Sequence, residues 1–238
     1  MLENKLPTGD LQKSRRSDGR HTSKKEKKEV PDFSDPTALV TFLVGADSTK
    51  FMIHKEVVCL HSDVLGTAFN SEFTEGQTQT YRLEDTSESA FRLFMQWLYC
   101  QRLPIIQVLS HLDPEILSQE WTLDKTLIDL WVLADKFLIP RLQNLVIETM
   151  QRKVESSHLV PAYTFKYLYE NTAEHSLLRR YIIGLCVVSA YPSVYAEHMN
   201  IFPHDMLVDI AVKLASREQG FVWPELVVED FHANTDIG

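Results

Sequence analysis

Three side chains able to bind a metal fall within eight residues of the stretch FMIHKEVVCLHS (51–62): His54, Cys59 and His61. A tetrahedral zinc takes four such ligands, typically paired at short spacings such as CxxC or HxxxH. The spacing here does not fit. Cys59 and His61 are two apart on a segment whose periodicity predicts a helix, where such side chains do not face each other. His54 falls at the end of a predicted strand, and no second close Cys/His pair follows elsewhere in the chain. Cys59 then reads as a small core residue on a packing helix. No metal and no other cofactor is expected.

Catalytic motifs are equally absent. There is no GxSxG, no P-loop, no GxGxxG and no HExxH, the arrangements that aim a nucleophile, cradle phosphates or ligate a catalytic metal. Eight glycines in 238 residues are few for loops that hug a cofactor. No catalytic residue is assigned, and a binding or structural role is expected in place of an enzyme.

The elements that position these residues follow from composition and period. The chain is 44% hydrophobic and 24% charged, ordinary for a globular protein that buries a core. No apolar run approaches the ~20 residues of a membrane span. Cys59, Cys100 and Cys186 are odd in number and far apart, which points to a reducing, intracellular compartment. The net charge of −9 is unevenly spread: residues 1–30 hold nine Lys or Arg against five Asp or Glu. The remaining 208 residues carry 15 basic and 28 acidic side chains. Such a body repels a phosphate backbone, so sequence-specific nucleic-acid binding is not expected.

Residues 1–33 are expected to form a disordered basic tail. TGDLQKSRRSDGRHTSKKEKKE contains one Leu and no Phe, Tyr, Trp, Val or Ile, too little apolar surface to offset the entropy of ordering. Its two basic clusters, KSRR (13–16) and KKEKK (24–28), hint at a nuclear address. Their seven-residue spacer is short for one, and the location expected is nucleus or cytoplasm.

ALVTFLV (38–44) and KFMIH (50–54), joined through Gly45, read as a β-hairpin. Val57, His61, Val64, Leu65 and Ala68 then recur at helical spacing, with Gly66 as the break between two short helices. QTQTYRLE (77–84) returns to strand composition, and Asp85 with Glu88 suggests a capping box. Ala90, Phe91, Phe94, Trp97 and Leu98 give the next helix an apolar face. Residues 102–123 read as a long loop. Leu127, Leu130, Trp131, Ala134 and Leu138, then Leu142, Leu145, Val146, Thr149 and Met150, predict a helical hairpin turned at Pro140. Helices near 161–170, 177–190 and 204–216 follow, the middle one apolar on nearly all sides and so expected to be buried. Residues 219–238 read as a tail.

This order, together with FMIHKEVVCLHSDVLGTAFNSEFTEG, closely resembles the BTB/POZ domain. VTF (40–42) resembles the family's first strand. F-x-x-H-K-x-V-x (51–58) resembles its second strand entering the first helix, with His54 and Lys55 at the familiar positions. Ser62, Val64, Leu65 and Phe69 match the helix–helix joint, and F-x-E-G (73–76) the segment before the third strand. Glu88-Ser-Ala90-Phe91 with Leu98-Tyr99 resembles the PEAF…FLY helix, and Leu133-Ala134-Asp135-Lys136 the LADKF stretch. GQTQTYRLEDTSESAFRLFMQWLY and YLYENTAEHSLLRR are similar to single-BTB proteins of filamentous fungi. The fold so implied is α+β: a small β-sheet flanked by short helices over 34–152, then a helical extension over 153–218. Family-motif positions carried over are His54, Lys55, Phe91 and Tyr99. One departure stands out. Many relatives place an Asp before VTF, paired with the basic residue after the His; here that position is Leu39, read as strand burial, while Lys55 remains.

The resemblance implies a protein-interaction module that forms a homodimer through residues 34–101 and recruits protein partners. An alternative is a substrate adaptor for a cullin-based ubiquitin ligase, in which Phe73-Thr74-Glu75 would be the hydrophobic-x-Glu contact to the cullin. A separate substrate-binding domain, usual in adaptors, is not evident. A transcriptional co-regulator is a further alternative, though no paired-Cys, paired-His DNA reader is present. Deleting residues 1–30 is expected to leave the circular dichroism spectrum unchanged and the unfolding free energy within about 0.5 kcal/mol, measured by chemical denaturation.

Overall fold

The computed structural model describes residues 30–103, 120–158, 160–189, 199–218 and 228–233. Two strands open the fold, β1 (Leu39–Val44) and β2 (Thr49–His54), paired antiparallel in the register Val40↔Ile53 and Phe42↔Phe51. The turn between them needs a left-handed residue at its start, which Gly45 supplies at φ 72°. β3 (Thr80–Leu83) lies parallel to β1 on its other side, giving the order β2-β1-β3. Alternation sends Val40, Phe42, Val44, Phe51, Ile53 and Leu83 to one buried face.

α1 (Lys55–His61) and α2 (Asp63–Asn70) follow β2 directly. The break between them is Ser62, not Gly66, which sits inside α2. Ser62 takes an extended backbone, φ −142° and ψ 113°. Its hydroxyl accepts the Leu65 N–H at 3.1 Å and donates to the Phe137 carbonyl at 2.8 Å. One side chain thus caps α2 and ties it to a distant helix end. α3 (Thr74–Thr78) takes up residues read as the start of the third strand, and Gln79, left-handed at φ 49°, turns the chain into β3.

α4 (Glu88–Cys100) is capped by Ser87, whose hydroxyl accepts the Ala90 N–H at 3.4 Å. Asp85 therefore does not cap it. The reason is register: the side chain three residues before Ala90 is the one within reach of its N–H. α5 (Glu120–Lys136) starts seven residues earlier than the periodicity from Leu127 suggested, so helix replaces the last part of the 102–123 loop. The rest of that loop, 104–119, lies outside the described residues. α6 (Pro140–Ser157) begins on Pro140, as the missing N–H and fixed φ favour. Asp124 and Lys153, 2.8 Å apart and largely buried, join the far ends of this hairpin.

The extension is packed onto the same core. A 3-10 turn (Ala162–Thr164) leads into α7 (Phe165–Asn171), whose Tyr167 hydroxyl donates to Asp129 of α5. α8 (Leu177–Ser189) buries Leu178, Tyr181, Ile182, Leu185 and Cys186, as its all-round apolar sequence requires. The Tyr181 hydroxyl donates to Gln151 of α6 at 2.8 Å. After a turn at Met199–Ile201 comes α9 (His204–Glu218). Part of the expected 219–238 tail is docked: the turn Val228–Phe231 buries Phe231 against Tyr181, ring centroids 5.8 Å apart. Residues 219–227 and 234–238 lie outside the described residues, as do 1–29 of the expected basic tail. Its end is ordered, because the Asp32 N–H donates to Glu56 at 2.8 Å and Phe33 packs on His54. Among the described residues no helix is long and apolar enough to cross a membrane.

Trp97 of α4 and Trp131 of α5 are both buried between these packed helices. Trp97→Ala or Trp131→Ala is expected to destabilise by about 3–5 kcal/mol in denaturant titrations, through lost transfer energy and a cavity. A cost below about 1 kcal/mol would place the ring at the surface.

Candidate protein-interaction surface

β2 runs into α1 without a loop, so His54 and Lys55 sit at a corner and leave it in opposite directions. His54 occupies the cap position of α1 but makes no side-chain cap bond. Tyr99, near the end of α4, takes it up instead. The Tyr99 hydroxyl accepts the His54 backbone N–H at 3.2 Å and lies 2.8 Å from Nδ1. One hydroxyl thus ties both the backbone and the imidazole of His54 to the end of α4. Phe33 closes on the other side, edge to His54 with centroids 5.2 Å apart.

Across the ladder from His54 is Leu39. It is 38% exposed, so the sequence reading of strand burial is corrected. The cause is the strand's alternation: Val40, Phe42 and Val44 take the inner face, and Leu39 falls outward. Phe33 (40%), Tyr99 (47%) and Met52 (50%) are exposed around the same strand end. A single apolar surface residue is ordinary, whereas several around one point form a patch.

Lys55 turns inward. Its ammonium donates to the Phe69 carbonyl at 2.8 Å, and Gln79 Nε2 donates to the same oxygen at 3.0 Å. Phe69 belongs to the last turn of α2, where carbonyls lack helical partners and a cation meets the negative end of the dipole. Lys55 has therefore found an acceptor within the domain, and Leu39 in place of a carboxylate leaves it matched. Phe91 is fully buried with its ring 5.0 Å from Phe42 and 4.8 Å from Phe51, a packing centre and not a contact residue.

The histidine and cysteine of the opening stretch are likewise absorbed by packing. Burial pushes the Cys59 thiol above its ordinary pKa, against the pull of Lys55. Burial, with the nearby charge of Arg141, holds His61 below its ordinary value, and its ring lies 5.3 Å from that of Trp97. Among the described residues no three His, Cys, Asp or Glu side chains gather about one point.

Phe73 is the most prominent aromatic on this half of the molecule, 76% exposed at the cap of α3. Its presentation depends on Gly76. A Cβ there would lie 1.8 Å from the Ser71 carbonyl oxygen, so only glycine lets the chain fold back this tightly. Glu75 is half-buried, not free beside Phe73, and its charge helps burial raise the Tyr81 pKa. Sequence reasoning found Phe73, Glu75 and the glycine as a pattern but not the close approach that makes Gly76 necessary. It missed the partnership of Tyr99 with His54, for which 45 residues of separation leave no local signal.

The family model described as BTB/POZ domain matches residues 31–154. No curated protein matches the chain. The match starts two residues before Phe33 and ends inside α6.

Phe73→Ala is expected to change the unfolding free energy by no more than about 0.5 kcal/mol, the range of surface substitutions. Phe91→Ala is expected to cost about 3–5 kcal/mol. Urea denaturation of the two variants checks the contrast, and comparable losses would contradict the exposure of Phe73.

Proposed function

Because the chain belongs to the BTB/POZ domain family, whose domain is a protein–protein interaction module, we propose that it self-associates through residues 34–101 and recruits another protein. The observation that carries this reading is the patch of Phe33, Leu39, Met52 and Tyr99 around His54 on the outer face of the sheet. A three-stranded sheet buries its inner face on the helices, and its outer apolar residues lose unfavourable hydration when a second copy covers them. The patch is preorganised, since Tyr99 and His54 fix each other and Phe33 is seated on the imidazole.

A second reading, the cullin adaptor, is favoured by one observation: the exposed Phe73 ring, held forward by the turn that Gly76 closes. An exposed aromatic anchor carries a large share of interface energy when it enters a pocket. The half-buried Glu75 argues for a weaker charged contact than a free carboxylate would make.

Sedimentation equilibrium of the intact chain is expected to give a dimer at micromolar concentration. The exposed pair Leu39→Glu and Met52→Glu is expected to weaken it by at least about tenfold, or about 1.4 kcal/mol. A monomer in the unaltered chain, or an unaffected variant, would refute self-association through this face. The adaptor reading is tested separately: submicromolar binding to a cullin N-terminal region, lost in the folded double variant Phe73→Ala with Glu75→Ala, would establish it. Wild-type protein that fails to bind at micromolar concentration would remove it.

A further inference from the structure

The exposed patch on the outer face of the sheet is built around an imidazole. His54 is half-buried, with the Phe33 ring at 5.2 Å, the Tyr99 ring at 6.0 Å and Leu39 opposite it on β1. Imidazole is the side chain whose charge ordinarily changes between about pH 5 and pH 8. The Tyr99 hydroxyl, 2.8 Å from Nδ1, is able to donate to the bare nitrogen or to accept from its N–H. The corner therefore keeps its contact in either protonation state, and a proton adds charge without undoing the fold.

The outer face of the sheet offers that charge no counter-ion. Lys50 and Arg82 stand opposite Leu43 on either side of β1, both exposed, and the outward residues of the three strands include no carboxylate. On the elements packed against His54, the titratable and charged groups are Asp32 and Asp35 before β1, Lys55 and Glu56 on α1, and Tyr99 and Cys100 at the end of α4 with Arg102 beyond. Their carboxylates are engaged locally. Glu56 accepts the Asp32 N–H at 2.8 Å, Asp32 accepts the Ser34 N–H at 3.0 Å, and Asp35 accepts the Thr37 N–H and hydroxyl. Lys55 is turned inward to the Phe69 carbonyl.

We propose that the proton on His54 switches self-association through this face: a second copy covers the neutral ring and is released by the charged one. The inference rests on the self-association reading and adds its regulation. An unpaired charge under an apolar cover is strongly disfavoured, whereas a neutral ring held by a hydrogen bond is not. A two-fold interface presents the same face from both copies, so the second sheet brings its own His54, Lys50 and Arg82 and no carboxylate. The sign is diagnostic. The chain carries −9 with its nine histidines neutral, so protonating them removes net charge and lessens the general repulsion between copies. That general effect strengthens association in acid; the His54 effect weakens it.

Sedimentation equilibrium of the full chain is compared at about pH 8 and about pH 5.5, either side of the imidazole range, at one ionic strength. The dissociation constant is expected to be at least about tenfold larger in acid, with the same circular dichroism spectrum at both. His54→Asn, which keeps a polar atom for the Tyr99 hydroxyl, is expected to reduce that ratio to below about threefold or to invert it. Should this variant not fold, the His54 ring resonance of the unaltered chain is titrated below and above the dimerisation concentration, and its midpoint is expected at lower pH in the dimer. A dimer equally stable at both pH values, or more stable in acid, overturns the switch and leaves self-association standing. A folded His54→Asn chain with the full pH response, or equal midpoints, overturns it as well. A monomer at both pH values removes the self-association reading and the switch together.

Discussion

Everything in this fold hangs on seven aromatic rings that touch in sequence. Phe51 meets Phe91, Phe91 meets Phe42 and Phe94, Phe42 meets Phe69 and Tyr81, and Tyr81 and Phe94 both reach Phe137. They come from all three strands, from α2 and α4, and from the joint of the α5–α6 hairpin. Each contributes large buried area, and edge or tilted contacts add to it. A sheet of three short strands has little stability alone. The rings make it the floor of a helical domain, and in doing so decide which face it can leave open.

That asymmetry produces the interaction surface. The residues that share a side with Phe42 and Ile53 are committed to the core, so Leu39 and Met52 are committed to the outside by the same two-residue period. Lys55 and His54, adjacent in sequence, divide at the corner: the ammonium completes a helix end, while the imidazole joins the outer aromatic group. Phe73 follows a different logic, since its exposure comes from a backbone approach that glycine alone allows.

Much of the architecture was legible because period and punctuation coincide. The hairpin with Gly45, the apolar face of α4, the Pro140 start of α6 and the buried α8 were read directly from spacing. The differences arose where a polar side chain had more than one choice. Ser62 and Ser87, not Gly66 and Asp85, punctuate the helices because their hydroxyls reach N–H groups that the backbone leaves open. The Val228–Phe231 turn was invisible in a short, mixed segment, since only the Tyr181 pocket, far away in the chain, gives it structure. Site residues fared similarly: their types could be read, but the direction of Lys55 and Leu39 depends on partners distant in sequence.

The Val228–Phe231 turn also sets an order of events during synthesis. The Asn144 amide of α6 donates to the Ala233 carbonyl at 3.1 Å and accepts the Ala233 N–H, closing a loop of 89 residues. A chain emerging from the ribosome completes its sheet and first helices long before Ala233 exists, and domains form from the N-terminus as they appear. The α6–α8 face therefore waits, uncovered, until the 89 residues that follow Asn144 have been made. Loop closure over that distance adds little extra cost because the entropy grows only logarithmically with length. What the arrangement imposes is delay: an apolar seam left available to chaperones until the Val228–Phe231 turn arrives to cover it.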